Sequence, residues 1–336
     1  MSSVGVVTPF WLDRPPVEAL DIALAANDTG FGTLWIGEMA TFDAFALATA
    51  VGLRTSRISL KIGPLAVGVR SPVALALGLS TVVATTGRTA SLALGASSPR
   101  IVTGWHGREW EPVRRMKETI RDTRALLDGN RVSGFRLQQP VPGTSISVAA
   151  FGPAMTKVAA AEGDEVVLNL VSADHVAAVR DRLAAARTAG GGTAAAGSSA
   201  APPPIDPATA PPPPPLAVWI PAALDPGPTT LRQLRAQLAV YLAPPGYGEM
   251  FTALGHGDLV DQARQGKPRA ELAAEIPRDL LEQVGAIGSA QTIADRVAAY
   301  HEAGAEHVGL VPATAEDPAG RRLLTTLSPL LTKGRR

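Results

Sequence analysis

The sequence predicts an α/β protein, a (β/α)8 barrel, on three observations. Four times an apolar-periodic helical stretch closes on glycine and a buried-looking strand follows within a few residues: LAANDTG-FGTLWIG, STVVATTG-RTASLALG, VAAAEG-DEVVLNLV and AAYHEAG-AEHVGLVP. Glycine suits the left-handed residue that closes a helix, and unbroken apolar strands are what a parallel sheet covered on both faces requires. The intervals between these units hold four more strand candidates, SVGVVTP, ISLKIGPLAV, SISVAAF and LAVWIPA, so strand and helix alternate eight times. Finally, 336 residues is long for one ordinary core but usual for such a barrel.

Each element has its own warrant. The helix beginning near Val113 places Val113, Met116, Ile120, Thr123 and Leu127 on one face, the spacing of a helix packed against a sheet. The exception is the stretch 188–215, TAGGGTAAAGSSAAPPPIDPATAPPPPP, which has no periodicity and almost no charge. It is expected to be a disordered, low-complexity insertion, partly polyproline in character and either dispensable or a partner-binding arm, within a single barrel domain spanning 1–336. Between a helix and the next strand, it would hang from the face opposite the active site.

Composition narrows the function. The net charge is +1, from 31 basic and 30 acidic residues, without a block of like charge beyond the tail KGRR, so nucleic acid is not an expected partner. There is no cysteine, which removes disulfides, thiolate nucleophiles and zinc–thiolate sites together and fits a reducing cytoplasm. Apolar runs such as LAVWIPAAL fall short of the roughly 18 residues of a membrane span. The start, MSSVGVVTPF, reads as a first strand and not as a signal peptide, so a cytoplasmic protein is expected. No GxGxxG, GxxxxGK[ST], GxSxG or HExxH motif occurs where it would carry dinucleotide, phosphate, hydrolase or metal chemistry, and no metal is expected.

In a (β/α)8 barrel the site lies at the carboxyl ends of the strands, so those ends are read one by one. TLWIGE ends in Glu38, a rim carboxylate that either works on a ligand or is merely ion-paired. Gly63 and Pro64 inside the third strand mark a bulge or a ligand's close approach, unless the strand stops early at Gly63. The fifth strand runs into Gly152-Pro153-Ala154-Met155, where the free N–H groups of a helix start attract phosphate, although Gly-Pro also begins ordinary helices. After the fourth strand comes GASSPRIVTGWHGREWEP, residues 95–112, with Trp105, His106 and Trp110; its histidine suits general acid work or donation to a carbonyl.

Taken together, FGTLWIGE with Asp43-Ala44-Phe45, ISLKIGP with RSP, SLALG followed by SSP and WHG, SISVAAFGPAM with GDEVVLNLV, YLAPPGYGEMFTALG and GAEHVGLVPATAEDPAGRR resemble the luciferase-like monooxygenase superfamily. More narrowly, they are similar to its actinobacterial branch of oxidoreductases that use the deazaflavin coenzyme F420. The resemblance implies a flavin-type ring over the barrel mouth, backed by a bulge with a cis bond between non-proline residues near Leu65-Ala66. It implies cofactor contacts at Pro64, Leu65, Ala66, Ser97, Ala150, Gly152, Pro153, Ala154, Met155 and Asn169, with Trp105 and Trp110 walling a substrate pocket. Several relatives carry histidine after the acidic residue of the second strand, where this chain has Met39, so acid and donor roles fall to Glu38 and His106. The implied activity is hydride transfer between F420 and a small organic substrate, in a chain that can pair as a homodimer. An FMN-dependent monooxygenase using molecular oxygen and a non-catalytic cofactor-binding barrel remain open alternatives.

Overall fold

The computed structural model describes residues 3–11, 13–188 and 211–332. Eight strands carry the fold: β1 (Ser3–Val7), β2 (Thr33–Ile36), β3 (Ser59–Ala66), β4 (Ala90–Gly95), β5 (Ile146–Ala149), β6 (Glu165–Asn169), β7 (Leu216–Leu224) and β8 (His307–Pro312). Hydrogen-bonded neighbours run β7, β8, β1, β2, β3, β4, β5, β6, and β6 pairs again with β7, which closes the sheet. The helices are α1 (Glu18–Asp28), α2 (Ala44–Arg54), α3 (Pro72–Thr86), α4 (Pro112–Leu127), α5 (Pro153–Glu162), α6 (Ala173–Thr188), α7 (Pro228–Leu238), α8 (Ala290–Glu302) and α9 (Arg321–Leu331). This is the expected (β/α)8 barrel, and each of the eight strand candidates is found. The sequence reading missed a hairpin, Arg131–Val132 with Phe135–Arg136, a short strand Ala286–Gly288 beside the end of β7, and the short helices between α7 and that strand.

The chain divides into two compact units, one of Met1–Leu60, Leu168–Val176 and Ala217–Arg336, the other of Lys61–Val167 and Ala177–Leu216. In the first, β1, β8 and β7 are aligned so that Gly5 lies opposite Gly309 and Gly309 opposite Trp219. The glycines make room for large rings: a Cβ on Gly5 would stand 2.8 Å from the His307 ring, and one on Gly309 2.9 Å from the Trp219 indole. Trp35, wholly buried, donates from Nε1 to His307 Nε2 at 3.0 Å, and His307 Nδ1 lies 2.8 Å from Ser3 Oγ. An indole only donates, so Nε2 accepts, and the neutral imidazole carries its hydrogen on Nδ1 toward Ser3. The buried Glu18 carboxylate, at the start of α1, joins Arg14 (2.7 Å), the Thr314 hydroxyl (2.9 Å) and the Ala319 N–H (3.1 Å).

In the second unit β3 continues through Gly63, which has φ +126, a conformation open to glycine and strained for other residues. A Cβ there would meet Ala93 O at 2.1 Å. The alternative of a strand ending at Gly63 is therefore excluded. Among the described residues the cis bond is Gly63–Pro64, not Leu65-Ala66 as the resemblance implied; a bond to proline reaches cis far more readily than one between other residues. Lower on the same strand, Lys61 Nζ reaches both oxygens of Glu165 at 2.7 and 2.6 Å, and Ser147 Oγ donates to Glu165 at 2.6 Å. On α4, Met116, Ile120, Thr123 and Leu127 are buried as the periodicity requires, whereas Val113, in the first turn, is 37% exposed.

Residues 189–210 of the proline-rich stretch lie outside the described residues. Its end is anchored: Val166 N donates to Pro215 O at 2.9 Å and Arg180 to Pro214 O at 3.4 Å. The run thus joins the fold at Pro214, ahead of the strand proper. Among the described residues no helix is long and apolar enough to cross a membrane.

Candidate active site

In the first unit the carboxyl end of β1 continues as Thr8-Pro9-Phe10-Trp11. Thr8 is fixed by its N–H and hydroxyl, both donating to Trp35 O at 2.9 and 3.3 Å, and Trp11 by Nε1 donating to Pro312 O at 2.8 Å. Phe10 lies against the end of β2, where a Cβ on Gly37 would meet its ring at 2.4 Å, so only glycine permits this approach. These residues, with Asn169, Leu170, Trp219, Pro221, Gln237, Tyr241 and Val311, enclose a cavity at the carboxyl ends of β1, β6 and β8. The Asn169 and Gln237 side chains lie close to the Tyr241 hydroxyl, and Tyr247 donates to Asn169 O at 2.9 Å. Burial pushes both phenols above their usual range, so they stay neutral donors.

Glu38 is half-buried and accepts from Ala44 N at 2.9 Å, while Asp43 accepts from Ala46 N at 3.0 Å. Two carboxylates thus cap the start of α2, as the dipole favours. Met39 is 36% exposed.

In the second unit the backbone turns sharply after β4, with Ser97 at φ +59. A Cβ on Gly95 would lie 3.1 Å from Pro64, and Val67 N donates to Gly95 O at 3.1 Å, so the β3 bulge and the end of β4 are pressed together. The segment expected as a plain loop holds a short π-helical turn, Arg100–Trp105, anchored by Val102, which packs where Gly68 has no side chain. Trp105 (51% exposed), His106 and Trp110 (41% exposed) stand outward, with Trp110 Nε1 donating to Ala96 O at 3.3 Å.

Gly152 caps α5 with ordinary extended angles, no side chain caps the helix, and nothing lies within 4 Å of where its Cβ would be. Ala150 and Met155 are buried and Pro153 and Ala154 exposed around this open start. The other helix that opens Gly-Pro is α7, and its start is filled: Glu316 accepts from Thr230 N at 3.0 Å, and a Cβ on Gly227 would strike the carboxylate at 2.5 Å. Hydrogen bonds from Thr230 and the backbone hold Glu316 below the usual carboxylate range. Of these two anion-suited helix starts, one is satisfied from within and the other stands open.

Fold and strand ends place the molecule in the class of (β/α)8 barrels with a cavity at the strands' carboxyl ends. More narrowly, residues 4–307 match the luciferase-like monooxygenase family, and the chain belongs to it. A coenzyme F420-dependent oxidoreductase of Mycobacterium tuberculosis is 30% identical over 118 residues, 35% of this chain and 34% of that protein. An F420-dependent glucose-6-phosphate dehydrogenase of Mycobacterium avium is 31% identical over 176 residues, 44% of this chain and 52% of that protein. The match thus spans about a third to a half of these relatives' length. An F420-dependent secondary alcohol dehydrogenase, solved with an F420–acetone adduct, shares the fold with a TM-score of 0.71 at 16% identity, covering 100% of this chain and 99% of the other. The oxygenating constituent of 3,6-diketocamphane monooxygenase from Pseudomonas putida, solved with FMN, does so with a TM-score of 0.65 at 15% identity over 98% of each chain.

Proposed function

We propose that this chain is an oxidoreductase that passes a hydride between the deazaflavin F420 and a small organic substrate. The observation that carries the reading is similarity to F420-dependent relatives in a chain whose α5 start stands open for an anion. Bound there, the deazaflavin supplies the hydride chemistry. The chain's part is to bind and orient: Pro64, Leu65 and Ala66 on the β3 bulge, Ser97 after β4, Ala150 and Gly152 to Met155 around the start of α5, and Asn169 at the end of β6 are the proposed cofactor contacts. Glu38 and His106 are proposed to handle the proton, and Trp105 and Trp110 to shield the substrate from water.

A second reading, an FMN-dependent monooxygenase, is favoured by the FMN-bound structure of the same fold. Separate titrations of the protein with F420 and FMN, followed by fluorescence, decide between them. F420 is expected to bind at least tenfold more tightly; tighter binding of FMN overturns the hydride-transfer reading.

A further inference from the structure

We infer that His307 is a proton-sensitive latch: as a neutral ring it ties β8 to β1 and β2 through Ser3 and Trp35, and on taking up a second proton it releases Trp35 and loosens the strand ends above it. Ser3, Trp35 and His307 all lie in the first unit, and the inference stands apart from the hydride-transfer reading.

The hydrogen bonds at the ring have a fixed direction. Trp35 Nε1 can only donate, so its 3.0 Å bond makes His307 Nε2 the acceptor and leaves the ring's hydrogen on Nδ1, 2.8 Å from Ser3 Oγ. Ser3 Oγ donates onward to Glu306 O at 3.5 Å, and Ser3 N donates to the same oxygen at 2.9 Å. A further proton on the ring can sit only at Nε2, where N–H would then face N–H.

The surroundings offer that charge neither room nor compensation. His307 is 6% exposed, Trp35 is wholly buried, and a Cβ on Gly5 would stand 2.8 Å from the His307 ring. Strands β1, β2 and β7 carry no ionisable side chain, and β8 carries none besides His307. Glu306, its neighbour in sequence, alternates to the opposite face of the sheet and is partly exposed. On the strands of the second unit Lys61 and Glu165 are paired with each other. A buried charge without a partner is far more costly than a neutral, hydrogen-bonded ring.

Trp35 carries the effect upward. Its carbonyl accepts both the N–H and the hydroxyl of Thr8, at 2.9 and 3.3 Å, and its ring packs edge-on against Trp219 at 5.3 Å. Thr8 and Trp219 line the cavity at the carboxyl ends of the strands, so a released Trp35 disturbs that end of the barrel.

A proton accepted by the unfolded chain and refused by the folded one makes stability fall as pH drops below the unfolded histidine value, about 6.5. The test compares wild type with His307→Gln, whose amide oxygen can accept from Trp35 and whose side chain does not titrate. Urea melts at pH 7 and pH 5 should show the unfolding constant of wild type rising about twentyfold more than that of the variant, the linkage of one histidine that stays neutral while folded. The other four histidines are common to both proteins and cancel in the comparison. Nitrogen-15 spectra of folded wild type, with His307 assigned by elimination from single variants of those four and Trp35 by Trp35→Phe, should show the hydrogen on Nδ1 alone at neutral pH. Any protonation of Nε2 should move the Trp35 indole signal with the same midpoint. If His307→Gln does not fold, the wild-type spectra decide. Equal pH dependence of the two proteins, or a doubly protonated His307 with the Trp35 signal unmoved, overturns the inference.

Discussion

Gly63 shows how much a single side chain can forbid. Its φ of +126 and the 2.1 Å from its missing Cβ to Ala93 O leave no room for even a methyl group, and the obstacle is backbone. Gly63→Ala should destabilise the protein by about 1–3 kcal/mol, read as a lowered thermal midpoint, since strained backbone of this kind typically costs that much. The position was legible because glycine and proline seldom interrupt an apolar strand unless the backbone bulges or is closely approached there. Glu38 was legible as a rim carboxylate, but its bond to Ala44 N depends on how the intervening loop folds back. Trp105 and Trp110 were read as pocket walls from their residue type, and both stand about half exposed. Trp219 and His307 were overlooked because LAVWIPA and AEHVGLVP read as uniform core, and nothing in a sequence tells which partners a buried ring will meet.

Helix starts show the same division at the scale of elements. Both α5 and α7 begin Gly-Pro, and by sequence either could serve an anion. Glu316, far along the chain, settles the matter for α7 by occupying it, whereas α5 has open space at Gly152. Because Gly152 has ordinary angles and no crowding neighbour, Gly152→Val should leave the melting temperature within a degree or two of wild type. The same change should weaken F420 binding more than tenfold if the cofactor phosphate uses this start. An unchanged affinity in the folded variant would move the phosphate elsewhere. The sequence reading singled out only the start at Gly152; the folded chain adds the second, at Gly227, and shows that it is filled.

For the molecule as a whole, strand order was the most legible property, because parallel strands buried on both faces announce themselves as apolar runs between glycine-closed helices. The region between α7 and β8 was least legible, its short helices carrying little periodicity. Acid stability should depend on Glu18, which the sequence did not single out. Burial alone would raise its carboxyl, but Arg14, the Ala319 N–H and the Thr314 hydroxyl outweigh that and hold it below the usual carboxylate range. A carboxyl whose folded value lies below its unfolded value, about 4.3 for glutamate, stabilises above that pH and loses the contribution as pH falls through the folded value. Denaturant melts of Glu18→Gln should show a deficit against wild type at pH 7 that shrinks below about pH 4.3. A deficit constant with pH would mean the carboxylate charge contributes nothing.

The hydrogen bond from Val166 to Pro215 also bears on how this gene can change. Stretches of repeated alanine, glycine and proline codons are prone to gain or lose copies when DNA is replicated. Every such event between 189 and 210 falls upstream of the point where the returning chain is pinned, so the alignment of β7 does not depend on how many residues precede it. Length variation there is expected among close variants of this chain, while Pro214 and Pro215 keep a constant spacing from β7.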